Sequence, residues 1–144
     1  MQRPPALATA IWILRLVCAA ILAQTLFFKF TGAPESRYIF ERLGMEPWGR
    51  IGTGVAELIA VAMLLTPRVA HLGALFSLVI ISGAVMSHLT RLGIAIQNDG
   101  GLLFGLALTV LLASLSLVVL ERRRLAAEVR RAFTGRRPTT PAPT

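Results

Sequence analysis

Cysteine is almost missing from this chain. Cys18 stands alone inside an apolar stretch. A single thiol has no intramolecular disulfide partner, and no CxxC, CxxCH or metal-spaced Cys/His cluster accompanies it. A self-contained dithiol relay is therefore excluded, and so is a metal site of ordinary spacing. Any redox chemistry must take its electron carrier from elsewhere. Charge is scarce too: 15% of the 144 residues are Asp, Glu, Lys or Arg, against about a quarter in a soluble domain. Acidic side chains number seven, against fifteen basic ones. Short alternating segments of the kind a β-barrel needs are also lacking.

What is present is hydrocarbon, 55% of the residues, gathered into four runs. A helical span of a core about 30 Å thick needs roughly 20 apolar residues. The runs predict spans over about 6–28, 48–66, 69–90 and 101–120. The fold class expected is all-α, an integral membrane four-helix bundle occupying residues 1–120. Residues 121–144 form a basic tail that starts as a helical extension and ends in a disordered Pro/Thr segment. Arg15 interrupts the first run, which continues to Phe28 without a small-x-small cleavage site. It is expected to remain a span rather than leave as a signal peptide.

The net charge of +8 is unevenly placed. With the N-terminus inside, Arg3, Arg68, Arg122, Arg123, Arg124, Arg130, Arg131, Arg136 and Arg137 lie on the cytoplasmic side. Lys29, Arg37, Arg42, Arg50 and Arg91 lie outside. This bias predicts a bacterial-type inner membrane protein with both termini in the cytoplasm. The basic tail reads as an anchor against anionic headgroups, with the lipid bilayer as partner and no nucleic acid.

Connections differ in character. Thr66-Pro67-Arg68 makes the second and third spans tight antiparallel neighbours. The first loop carries a short amphipathic helix between Pro34 and Gly44, expected to lie in the outer interface with Tyr38 and Trp48. Small residues at spacing four (Gly101 and Gly105, Ala56 and Ala60, Gly73 and Ser77) suit close helix packing within the bundle, or a homo-oligomer face.

Lipid is a poor solvent for charge, so ionisable residues inside spans define the candidate site. Side chains tilt toward the N-terminus of their helix. Lys29 therefore leans inward from the end of span one. Glu57, about 9 Å into span two from Ile51, leans outward, and His88 leans inward again. Gln24, Arg91, Asn98 and Asp99 lie at or near the same level. A carboxylate within a span costs roughly 2.5–3.5 kcal/mol on insertion scales, so Glu57 must be protonated or paired, with Lys29 the reasonable partner. Snorkelling of Lys29 and simple capping by His88 are the bland alternatives. Arg15, about 13 Å into its run, stands apart and is expected to snorkel toward the cytoplasm. His71, near Arg68, reads as an ordinary interface residue.

Arg15 early in span one, then LFFKFTGAPE with Lys29, the FERLGMEP segment, GVAEL around Glu57, Arg68 in a short turn and a third span ending at His88 together resemble the DoxX family. The likeness runs over roughly residues 10–120. One departure is that Thr25–Phe28 has no glycine ahead of the lysine, where the family often has one. The resemblance implies a small four-helix membrane protein. Some relatives are membrane subunits of thiosulfate:quinone oxidoreductases, and others associate with redox-stress partners.

Three functional readings stay open. In the first, the chain is a quinone-linked subunit with no intrinsic cofactor, acting with a separate redox partner protein. Glu57 and His88 exchange protons with a membrane quinone. Lys29 steadies developing negative charge, and Gln24, Arg91, Asn98, Asp99 and Arg15 supply further binding groups. In the second, the chain is a non-enzymatic membrane scaffold or assembly factor. In the third it is a proton-coupled small-solute carrier, against which stand four short spans without broken helices or repeats.

Overall fold

A computed structural model describes residues 4–134; the Pro/Thr end of the tail lies outside them. The described residues form helices and connections, with no strand. In chain order the helices are α1 (Pro5–Thr31), α2 (Pro34–Arg42), α3 (Trp48–Leu65), α4 (Ala70–Ser87) and α5 (Leu102–Thr134), with a π-helical turn at His88–Leu92 extending α4. Four of these helices are long and apolar enough to cross a membrane, and α2 is the short amphipathic one.

Each long helix packs on two neighbours, in the ring α1–α3–α4–α5–α1. Short connections leave consecutive spans antiparallel and adjacent. Small side chains hold the centre: Cys18, Ala60, Ala74, Ser77, Val110 and Ser114 are fully buried. Large apolar side chains such as Ile13, Phe27, Leu58, Leu112 and Val119 face outward. In water that arrangement would be inverted. In lipid it is expected, because tails solvate Leu as well as a core does and association depends on close backbone approach.

The closest approach is between α3 and α4. A Cβ at Gly73 would stand 2.8 Å from the backbone nitrogen of Leu64, so the hairpin requires glycine there. Gly54 performs a similar service opposite the end of α1, where a Cβ would meet the Phe30 ring at 3.3 Å. The glycine absent ahead of Lys29 thus has its counterpart on the facing helix. Gly105, by contrast, has nothing among the described residues within 4 Å of a built Cβ.

Helix α5 does not stop where the apolar run does. It continues unbroken from Leu102 to Thr134, as the helical extension expected at the start of the basic tail. At the other end, α2 bridges α1, α3 and the π-helical turn, with Pro34 at its first position. The α2 helix thereby covers the space between those helix ends.

Candidate functional site

Lys29 lies in the last turn of α1, and Glu57 lies midway along α3. Their opposing tilts bring Lys29 Nζ to 2.5 Å from Glu57 Oε1 and 2.6 Å from Oε2. Glu57 is 4% exposed. The Thr25 hydroxyl lies 2.7 Å from Glu57 Oε2 and 2.8 Å from the Leu22 carbonyl oxygen. It has one proton for two acceptors, and can serve the carboxylate or its own helix but not both at once. The pair is neutral overall, whether the shared proton rests on the amine or the carboxylate. Such neutrality is what a low-dielectric site tolerates.

Arg50 holds this corner in place. It pairs with Glu46 at 2.8–3.0 Å and donates to the Lys29 carbonyl oxygen. The C-terminal end of α1 is thereby tied to the start of α3.

His88 opens the π-helical turn on the opposite wall and is 6% exposed. Its Nδ1 lies 2.8 Å from the Gly93 carbonyl oxygen. A carbonyl only accepts, so Nδ1 carries the proton. In the neutral ring that leaves Nε2 as an acceptor. The ring also lies 5.4 Å, centroid to centroid, from Phe104.

Asp99 organises the start of α5. Its Oδ1 accepts from the Ile96 and Gly101 amides at 2.8 Å, and its Oδ2 accepts from Leu103 at 3.0 Å. These bonds, that from Leu103 foremost, hold its pKa below the usual carboxylate range. A carboxylate with a depressed folded pKa contributes stability above its unfolded pKa of about 3.9, and that contribution is lost as pH falls through the folded value. Asp99→Ala is therefore expected to cost about 1 kcal/mol near neutral pH, the scale of a lost helix cap. Thermal unfolding at stepped pH checks it: the gap between wild type and variant should close in acid, and a constant gap would reject the cap.

Between these elements lies a cavity of about 640 Å³. Its walls are chiefly apolar, including Ile21, Phe28, Val79 and Leu106, with Ile39 and Phe40 of α2 among them. Glu57, Lys29, His88, Gln24 and Asp99 all line it. Arg91 and Asn98 do not; Arg91 is exposed on the π-helical turn and Asn98 on the loop that follows it. Asn98 sits in the left-handed region at φ 69°.

Arg15 requires a correction. It stands apart from the cavity, as expected, but does not snorkel: its Nη2 donates to both Glu121 oxygens, at 2.9 and 3.0 Å. Arg15 is 4% exposed and Glu121 0%. The continuation of α5 past the apolar run brings Glu121 level with Arg15, at the end of the bundle away from the cavity. The residues missed by sequence reasoning are Thr25, Phe104, the α2 wall and Glu121. Thr25 had a usable signal, one helical turn before Lys29. Among the described residues no group of three His, Cys, Asp or Glu could hold a metal ion.

A helical bundle with four membrane-length apolar helices and two buried interhelical ion pairs defines an integral membrane protein. The family model described as the DoxX-like family matches residues 13–119, most of the chain and every residue of the cavity's polar end. The chain belongs to that family. No curated protein and no solved structure matches it.

Proposed function

We propose that the cavity receives the head group of a membrane quinone, and that the protein is the quinone-linked membrane subunit of a redox pair. The electron carrier resides on a separate protein, since this chain has no paired cysteines and no metal cluster among its described residues. One observation carries the reading: a chiefly apolar cavity of ligand size whose polar lining includes a carboxylate–ammonium pair and a histidine. A quinone accepts two electrons and two protons. The electrons come from the partner, and the protons from groups within hydrogen-bond reach.

The chain's own residues divide the work. Lys29 turns an N–H toward a carbonyl oxygen and steadies the negative charge that reduction develops there. Glu57 and Lys29 hold a transferable proton between them. His88, fixed through Nδ1 by Gly93, presents Nε2 to the cavity for proton exchange. The distribution of arginines supports placement in a bacterial-type inner membrane with both termini cytoplasmic, and hence a site in the outer leaflet.

A second reading has its own support: Lys29 and Thr25 already occupy both Glu57 oxygens, as a purely structural clamp in a scaffold would require. Gentle purification from native membranes, with quinone and protein content scored together by mass spectrometry, separates the two. The expected result is bound quinone in the wild type and its loss in Glu57→Gln. Equal quinone in both rejects the proposal. Partner proteins without quinone favour the scaffold.

A further inference from the structure

At the opposite end of the bundle a second cavity, of about 400 Å³, is lined by Pro67, Arg68, His71, Arg124, Glu128 and Arg131, with Ala127 beside them. His71 lies in the first turn of α4 and is 4% exposed. Neither of its ring nitrogens has a hydrogen-bond partner. Those nitrogens are shut off from the cavity, but the ring borders it and so reports on what the cavity holds. From the geometry we infer a binding site for an anionic phosphate group.

The charge of the wall chooses the ligand. Three arginines face one glutamate, and their short-range donors are not used up. Arg124 approaches Glu121 only to 3.9 Å, and that carboxylate is already held by Arg15. Arg131 approaches Glu128 likewise at 3.9 Å. The N-terminal end of α4, which has no side-chain cap, lies in the same wall and favours negative charge. Guanidinium forks match the oxygens of a phosphate. The group arrives either as an anionic lipid headgroup or as free phosphate, and the two sources are separable.

The test uses the full-length protein, with ring-15N-labelled histidine, in phosphatidylcholine nanodiscs. The chain has two histidines, and His88 is removed from the spectrum by His88→Asn. In one arm inorganic phosphate is titrated against chloride at equal ionic strength. In the other, phosphatidylglycerol replaces part of the phosphatidylcholine. The expected result is movement of the His71 ring signals in one arm, which identifies the source. Arg68 is exposed and the Arg131 side chain is 80% exposed, so the paired variant Arg68→Gln with Arg131→Gln keeps its fold. It should weaken the response roughly 30-fold, the scale of two cation–headgroup contacts. Signals unmoved in both arms, or an unchanged response in the paired variant, overturn the site.

Discussion

Glu121→Gln is expected to destabilise the bundle by about 3–5 kcal/mol, more than any other single change of side-chain charge in the chain. The carboxylate is fully buried and receives Arg15 Nη2 on both oxygens. Removing its charge leaves a guanidinium in a dry interior, where Arg15 Nε already has no partner. The Trp12 ring, 5.4 Å from the guanidinium carbon, offers a cation–π contact of about 0.5–2 kcal/mol, too little to replace the ion pair. The double variant Arg15→Met with Glu121→Leu should recover most of the loss, since replacing both ions of a buried pair with apolar groups is often neutral or better. Reversible unfolding of the four proteins in one lipid mixture gives the coupling energy directly. A loss below about 1 kcal/mol in Glu121→Gln would mean that Arg15 escapes to the headgroups, as its position alone suggested.

That pair also marks where sequence reasoning reached its limit. The spans were legible because lipid forces long uninterrupted runs, and the Lys29–Glu57 meeting followed from side-chain tilt. A helical extension past residue 120 was expected, but not that its first turn would carry Glu121 into the bundle. Arg, Leu, Ala and Glu continue a helix as readily as apolar residues do, so the last lipid-facing residue and the last helical residue differ. With α5 carried onward, arithmetic nearly finds the pair. Arg15 lies about 24 Å from the C-terminal end of α1, and Glu121 about 28 Å from the N-terminal end of α5. Rotation about each axis is the missing quantity, and packing sets it. The π-helical turn was likewise beyond periodicity. It closes with a bond from Gly93 N–H to the His88 carbonyl at 2.9 Å, a spacing of five that hydropathy does not display. His71 looked ordinary because a sequence displays a histidine and not whether its nitrogens find partners. The level of the candidate site was therefore readable. Its membership was readable only in part, since Arg91, Asn98 and Arg15 share its chemistry but not its cavity.

Lys29→Met with Glu57→Leu should restore a stability that either single substitution lowers, and should still leave the cavity without quinone. Each single change strands one charge. The cost expected is about 2–3 kcal/mol, below that of a fully buried pair, because the Lys29 side chain retains 14% exposure near the helix end. In the double variant both charges are gone, and apolar side chains of similar length fill the α1–α3 contact. Thr25 can then donate wholly to the Leu22 carbonyl at 2.8 Å, so no polar group in the cluster is left orphaned. Stability and binding therefore come apart. If the pair serves the ligand, the double variant folds like the wild type and carries no quinone, because neither the N–H for a carbonyl nor the proton for exchange remains. If the pair only clamps α1 to α3, the double variant keeps whatever the wild type binds, and the scaffold reading takes over. Measuring unfolding and bound quinone on the same preparations decides between them.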